Sequence, residues 1–323
     1  MPLADGKAYR APVGTNEGRY REAERRMWES VGVAPPAERW LDLPRTGTRV
    51  RVQEGGDGPP ILLVHGASNS GVSWSQLVAR LDGFRWIALD RPGCGLSPAH
   101  PTGFADVEPF EAFAGALVVD VLDAMQLDRA HVVATSYGGN IALRSAAAHP
   151  DRIDRMVLMG WSVGAPLRAV PLMMRVGMIP GVGRLMTAIP ANERAVRMMF
   201  KNIGLRQALE AGRVSQEMVD AFVALLRHTD TLRNEVRVGP PMVHPVRGLD
   251  PRMLLAPELL GSITTPTYFL WGEEDPMGGP EIAAAFVAQL PNAELELMPG
   301  AGHAVWIDDP EHAAKTVSEF LRR

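Results

Sequence analysis

The chain has a single cysteine, Cys94, in 323 residues, so no intrachain disulfide can form. A lone thiol fits a reducing compartment, and a cytoplasmic location is the expectation. Long apolar runs are also missing. No uninterrupted stretch approaches the ~18 residues of a spanning helix. The first segment, Met1 to Gly18, is polar and has no apolar core of the signal-peptide kind. Neither charge sign is in large excess: 33 Lys and Arg against 37 Asp and Glu give a net charge of −4. That balance offers no electrostatic footprint for nucleic acid or for an anionic membrane surface. No His, Asp and Glu cluster has metal-ligand spacing, and no glycine-rich phosphate loop precedes a helix, so no metal and no cofactor is expected. Internal repeats and low-complexity segments are absent. What remains is an ordinary globular composition, 46% hydrophobic and 22% charged, long enough for a full core and a smaller second domain.

Residues 1–15 read as unstructured. From Asn16 the apolar residues Tyr20, Ala23, Met27, Trp28 and Val31 recur at helical spacing, and Gly32 ends the pattern. This helix is expected to dock on its own domain, with a homodimer contact as the alternative. Strand patterns follow at Arg39–Leu43, Thr48–Gln53, Pro60–His65, Arg85–Leu89, Ala130–Ala134 and Met156–Met159. Helical patterns lie between them at Trp74–Leu81, Phe110–Met125 and after Ser136. Alternation of this kind means mostly parallel strands joined by crossover helices, with functional loops beyond the strand C-termini. Between about Trp161 and Gly261 strand signals nearly vanish. Prolines break up helical segments there, nine of the 16 methionines gather, and 13 Arg and Lys face 8 Asp and Glu. This stretch reads as an inserted helical cap. Its methionines either line an adaptable apolar pocket or, for most of them, pack the cap on the core. Alternation resumes with a strand at Thr267–Trp271, a helix at Glu281–Leu290, a strand at Glu294–Leu297 and a closing helix at Pro310–Leu321. The expected division is a 1–37 extension, a core of 38–160 with 262–323, and a 161–261 cap.

The chemistry centres on Thr135-Ser136-Tyr137-Gly138-Gly139, where an apolar strand turns at once into a helix. Small neighbours permit the close backbone approach that holds a serine hydroxyl exposed at the tip of a strained turn. Such a hydroxyl is a weak nucleophile until a base takes its proton, and the base needs an orienting partner. Among eight histidines, His303 stands in a loop of small residues, Pro299-Gly300-Ala301-Gly302-His303-Ala304, between the last strand and the last helix. Asp275, in Gly272-Glu273-Glu274-Asp275-Pro276, follows a strand by a short turn at the same rim. Ser136, Asp275 and His303 are therefore the candidate nucleophile, acid and base. The Tyr137 N–H, directly after the nucleophile, is one candidate donor to a developing oxyanion, and the loop after His65-Gly66 offers Ala67 or Ser68 as the other.

Several of these segments together resemble the α/β-hydrolase superfamily: Leu62-Leu63-Val64-His65-Gly66 its oxyanion loop, Asp90-Arg91-Pro92-Gly93-Cys94-Gly95-Leu96-Ser97 a second family loop, Trp271 to Asp275 its acid loop, and Gly302-His303 its histidine loop. The order Ser, Asp, His is the family's as well. The resemblance spans nearly all of 38–323 outside the cap. It implies a mostly parallel central sheet flanked by helices, the α/β-hydrolase fold, with an inserted helical cap. It also favours Ala67 over Ser68 and gives His65 a bracing role. The family pattern Gly-x-Ser-x-Gly here begins with Ala134, so the turn tolerates one methyl group.

Other candidates read as structural. Asp90 is expected to bond nearby backbone, and Glu273 and Glu274 to be surface carboxylates. His149 reads as a helix-end residue. His100, His131, His228, His244 and His312 lack a small-residue loop on a strand end, and no base is predicted near Cys94. The expectation is a serine esterase acting on a small apolar-to-amphipathic ester, lactone or thioester through an acyl-enzyme. A serine at 136 excludes dehalogenase and epoxide hydrolase chemistry, which needs a carboxylate nucleophile. A carbon–carbon bond hydrolase with the same triad, or a non-catalytic small-molecule-binding protein on this fold, are the alternatives.

Overall fold

The computed structural model describes residues 16–323 apart from 169, 171, 180, 239–242, 245 and 247; the segment 1–15, read above as unstructured, lies outside the described residues. Helix α1 (Glu17–Ser30) is capped by Asn16, whose side chain accepts from the Arg19 N–H, and Gly32 (φ +77°) closes it. Then come β1 (Ala37–Leu43), β2 (Thr48–Gly55) and β3 (Pro60–Val64), a 3₁₀ turn at Gly71–Trp74, the short α2 (Ser75–Val78) and β4 (Arg85–Asp90). Helix α3 (Val107–Ala124) starts three residues before the sequence pattern. Pro109 lies in its first turn, where the missing N–H is an orphan in any case, and Asp106 caps it. Strand β5 (Ala130–Thr135) runs directly into α4 (Ser136–Ala148), and β6 (Ile153–Ser162) extends three residues beyond the expected Met159.

The helical insert, residues 175–236, follows. The insert and its immediate flanks comprise α5 (Leu172–Gly177), α6 (Val182–Ala188), α7 (Glu193–Asn202), α8 (Arg206–Glu210), α9 (Gln216–His228) and α10 (Thr231–Val238). A small antiparallel pair, β7 (Val243–His244) and β8 (Gly248–Leu249), and α11 (Pro257–Ser262) return the chain to the core. Met253, Leu255, Leu260 and Ile263 bury in the same cluster as the sheet residues. The chain ends with β9 (Thr267–Gly272), α12 (Pro280–Val287), β10 (Ala293–Met298), α13 (Val305–Asp308) and α14 (Pro310–Leu321).

Eight strands form one sheet in the order β1-β2-β4-β3-β5-β6-β9-β10. β2 pairs antiparallel with β1 and β4, and every later pairing is parallel. Parallel strands are covered on both faces, which is why Ile61–Val64 and Val132–Ala134 are apolar without alternation and fully buried. The inner strands β3, β5, β6 and β9 therefore end together at one rim, and the loops carrying residues 65–71, 136, 275 and 303 gather there.

The buried face of α1 carries Tyr20, Ala23, Met27 and Trp28 as its spacing predicts, and Trp28 stacks on Trp86 at 5.3 Å. This apolar face is occupied within the chain. It also buries Glu24, which the pattern hides. Arg51, 1% exposed, grips Glu24 through both outer nitrogens (2.6 and 2.9 Å), and reaches Glu38 at 2.7 Å and Asp90 at 3.2 Å. The Tyr20 hydroxyl lies 2.9 Å from both Glu24 and the Ser70 hydroxyl. No helix among the described residues is long and apolar enough to cross a membrane.

Candidate active site

Ser136 has φ +53°, a left-handed conformation uncommon for any residue with a Cβ. The turn is fixed from several sides. The Val163 N–H donates to the Ser136 carbonyl at 3.0 Å, and the Thr135 hydroxyl donates to the Met159 carbonyl at 2.6 Å. The helix can start so abruptly because Gly138 passes against β3: a Cβ there would lie 2.1 Å from the Val64 carbonyl oxygen. The positions that must be small are thus 138 and 139, where a Cβ would lie 2.2 Å from Ser162 Oγ, and Ala134 at the other side of the serine is accommodated. Tyr137 follows on the first turn of α4, where backbone N–H groups have no intrahelical acceptor.

Asp275 and His303 meet at this rim. His303 Nδ1 lies 2.8 Å from Asp275 Oδ2. The same oxygen accepts the Trp161 N–H at 2.8 Å, and Oδ1 accepts the Met277 N–H at 2.9 Å. Asp275 is buried, whereas Glu273 and Glu274 are exposed. Burial alone would lower the His303 pKa; the Asp275 carboxylate, through charge and hydrogen bond, reverses this and raises it above the ordinary histidine value. The two loops are also tied together by the Glu274 N–H on the Ala301 carbonyl at 2.9 Å.

Ser136 and His303 open on one cavity of about 180 Å³. Its floor includes Gly66, Ala67, Ser68, Asn69 and Thr135, and its walls are largely apolar, with Trp161, Met277 and Trp306 from the core and Met199, Phe200 and Phe222 from the insert. Among the described lining residues there is no Arg, Lys, Asp or Glu. Of the insert's described methionine side chains, Met199 alone lines it; Met218 is buried in packing and Met198 is half exposed. Met173, Met174 and Met242 have no described side chain.

The two candidates left open after His65-Gly66 differ in their hydrogen bonds. The Ser68 N–H donates to Glu235 Oε1 at 3.2 Å. The Gly66 carbonyl, on the peptide that carries the Ala67 N–H, accepts from Arg91 Nη2 at 2.8 Å and from His65 Nδ1 at 2.7 Å. His65 braces this loop: its Nε2 accepts the Arg91 N–H at 3.1 Å, so Nδ1 carries the proton. Burial, with the nearby Arg91 charge, holds its pKa well below the usual range. Asp90 accepts the Gly71 and Leu96 N–H groups at 2.8 and 3.1 Å. None of His100, His131, His149, His228, His244 and His312 lines the cavity, nor does Cys94, whose thiol burial pushes well above its ordinary pKa. Sequence reasoning missed Arg91, Glu235 and Asp308. Asp308, pushed up to about 6 by burial, accepts the Gly302 N–H at 2.8 Å beside His303. Arg91 sits within the second family loop, where its type alone assigns it no partner, and nothing in the insert's sequence marks Glu235.

A family model described as the Alpha/beta hydrolase family matches residues 61–315. The chain belongs to this family. Among its relatives, a 2-hydroxy-6-oxononadienedioate/2-hydroxy-6-oxononatrienedioate hydrolase of Burkholderia vietnamiensis is 27% identical over 301 residues, covering 88% of this chain and 96% of that protein. Among solved structures, naproxen esterase (carboxylesterase NP) of Bacillus subtilis superposes with a TM-score of 0.72 at 19% identity, covering 96% of this chain and 100% of that one. The 2-hydroxy-6-oxo-6-phenylhexa-2,4-dienoate hydrolase of a Rhodococcus strain also gives 0.72, at 20% identity, covering 89% and 99%. The relatives of this α/β hydrolase therefore divide between esterases and hydrolases of carbon–carbon bonds.

Proposed function

We propose that this chain is a serine hydrolase that cleaves a small uncharged carboxylic ester, lactone or thioester through an acyl-enzyme on Ser136. The observation that carries the reading is the Asp275–His303 pair opening, with Ser136, on one apolar cavity. Asp275 holds His303 through Nδ1, which leaves Nε2 to take the serine proton as Oγ bonds to the substrate carbonyl carbon. The carbonyl oxygen becomes an oxyanion, for which the Tyr137 and Ala67 N–H groups are the donors, since the Ser68 N–H is engaged by Glu235. The intermediate collapses, the carbon–oxygen or carbon–sulfur bond breaks, and His303 returns the proton to the leaving group. Water, deprotonated by His303, then attacks the acyl carbon and releases the acid and free Ser136.

The carbon–carbon reading has one observation in its favour, the relatives just described. Their substrates are named as a dioate and a dienoate, and so carry two carboxylates or one. A carboxylate removed from water needs a cation or several donors, or it binds poorly by several kcal/mol. The described lining offers no Arg or Lys, which supports the uncharged ester over the dicarboxylate. The test is a panel of p-nitrophenyl esters of graded acyl length beside a 2-hydroxy-6-oxo-dienoate, assayed on the wild type and on Ser136→Ala. Ester turnover that disappears in Ser136→Ala, while the fold persists, is the expected result. Turnover of the dienoate without ester turnover would replace the ester reading, and an active Ser136→Ala would remove the serine mechanism altogether.

A further inference from the structure

Helix α10 of the insert presents Thr231, Asn234 and Glu235 on one face, the i, i+3 and i+4 positions that point the same way. All three grip the loop after β4. Thr231 Oγ1 accepts the Gly95 N–H at 3.0 Å, and Asn234 Nδ2 donates to the Gly93 carbonyl at 3.0 Å. Glu235 Oε1 accepts from Arg91 Nη2 at 3.0 Å, from the Ser68 N–H at 3.2 Å and from Cys94 Sγ at 3.2 Å. Arg91 is buried and reaches further. Its Nε donates to the His65 carbonyl at 2.9 Å, its Nη2 to the Gly66 carbonyl at 2.8 Å, and its guanidinium lies 4.1 Å from the centre of the Tyr137 ring.

We propose that Glu235, carried by the insert, is a positioning residue for the oxyanion hole, acting through Arg91 and the Ser68 amide. The inference rests on the serine-hydrolase reading above and deepens it. In a trans peptide the carbonyl and the N–H point in opposite directions. The Gly66 carbonyl is held by Arg91 and His65, so the Ala67 N–H on the same peptide is turned away from both. A cation on that carbonyl also polarises the amide and strengthens its N–H as a donor. Arg91 holds Tyr137, the other donor residue, through its ring. Glu235 fixes the guanidinium in this place, balances its buried charge, and draws the neighbouring Ser68 N–H aside. One amide of the loop is thereby committed to the cavity and the next is not. The oxyanion hole is complete only with α10 seated on the loop.

The test uses the full chain with Glu235→Gln and Glu235→Ala, p-nitrophenyl acetate as substrate, and phenylboronic acid as a mimic of the tetrahedral adduct. Active sites are counted by titration with a fluorophosphonate. Loss of one oxyanion donor lowers kcat by about 10²–10³-fold in precedent systems. Misplacing one rather than deleting it is expected to lower kcat per active site by about 10–100-fold in Glu235→Ala, with a smaller loss in Glu235→Gln, which keeps an acceptor. KM should stay within about twofold, and boronate affinity should fall in parallel with kcat. A purely structural role would lower the thermal midpoint or the number of titratable sites and leave kcat per site and boronate affinity alone. Should Glu235→Ala not fold, Glu235→Gln decides. Values within about twofold of wild type for both quantities overturn the proposal. Ser136→Ala, run alongside, separates the two levels: its continued activity would overturn the serine mechanism, whereas its inactivity together with unaffected Glu235 variants would overturn this inference alone.

Discussion

Replacing Asp275 by asparagine removes a negative charge at a place where both carboxylate oxygens are in use. Oδ2 serves the Trp161 N–H and His303 Nδ1, and Oδ1 serves the Met277 N–H. Asparagine has one acceptor and one donor group to put there. With its oxygen toward His303 it keeps the two bonds at that side and points its NH₂ at the Met277 N–H. With its NH₂ toward His303 it bonds Nδ1 in the wrong tautomer, leaves the proton on Nε2, and confronts the Trp161 N–H. Each arrangement keeps two hydrogen bonds and creates one donor–donor conflict, which is expected to reduce stability by about 1–3 kcal/mol. Neither restores the charge that stabilises the imidazolium. In serine proteases the equivalent substitution lowers kcat by about 10⁴. A loss of about 10³–10⁴, or about 4–5.5 kcal/mol at 1.36 kcal/mol per decade, is the expectation here. A second signature follows from burial. Without Asp275 the desolvation that lowers the His303 pKa is unopposed, so the acid limb of kcat/KM moves to lower pH. Steady-state ester hydrolysis across about pH 5–9, with thermal unfolding to confirm the fold, measures both. A folded Asp275→Asn protein with kcat within about tenfold of wild type and an unmoved acid limb would refute the argument.

In the wild type, kcat/KM should fall on acidification through a pKa above the ordinary histidine value of about 6.5, because the base must be neutral and Asp275 raises its proton affinity. The same shift contributes folding stability that is fully present below the unfolded value and is lost as pH rises through the folded one; a pH series of urea unfolding curves reads it. In the network under α1, Arg51 pairs with Glu24, Glu38 and Asp90, and of the three only Glu38 has a second cation among the described pairs, Arg21 at 2.6 Å, so Arg51→Met should cost about 3–5 kcal/mol, whereas Glu24→Gln should cost about 1–2 kcal/mol because Arg51 keeps two carboxylates. The reverse order of costs in chemical unfolding would contradict this account.

Most of the sheet was legible because buried parallel strands are written as short apolar runs with turn residues after them. β4, β5 and β9 fall within one residue of their patterns, and α14 coincides with its own. The loops that bring Ser136, Asp275 and His303 to one rim were legible for a related reason: strand ends in such a sheet share a side, and small residues mark the backbone crossings. Less was legible where a residue acts across the chain. Glu24 is not marked by the apolar spacing of α1, and only the tertiary fold sets Arg51 opposite it. Trp74–Leu81 reads as one helix, but only Ser75–Val78 is α-helical, and Trp74 closes the 3₁₀ turn before it. What distinguishes the Ser68 N–H from the Ala67 N–H is a carboxylate 167 positions away from Ser68 in sequence, which no local pattern encodes.

The insert is bonded to both halves of the site, and this bears on how substrate enters. Ile203 gives its carbonyl to the His303 N–H at 2.9 Å, and Gly204 lies so close to Gly302 that a Cβ on Gly302 would come within 2.6 Å of the Gly204 carbonyl carbon. On the opposite side α10 holds the loop after β4 through Thr231 and Asn234, and Ser68 and Arg91 through Glu235. Helix α1 ties these parts together again, with the Asn16 N–H on the His228 carbonyl of α9 and Tyr20 on Ser70. Lifting the insert as a rigid body would break six insert-to-loop hydrogen bonds at once, these five and the Cys94 thiol on Glu235. At about 1 kcal/mol net for each, the lifted state would be populated at roughly one part in 10⁴–10⁵. Such a state would also lack the contacts that orient His303 and the Ala67 amide. Entry by rearrangement of side chains such as Met199, the insert's flexible methionine on the cavity wall, keeps these loops in place throughout and is the route this architecture favours.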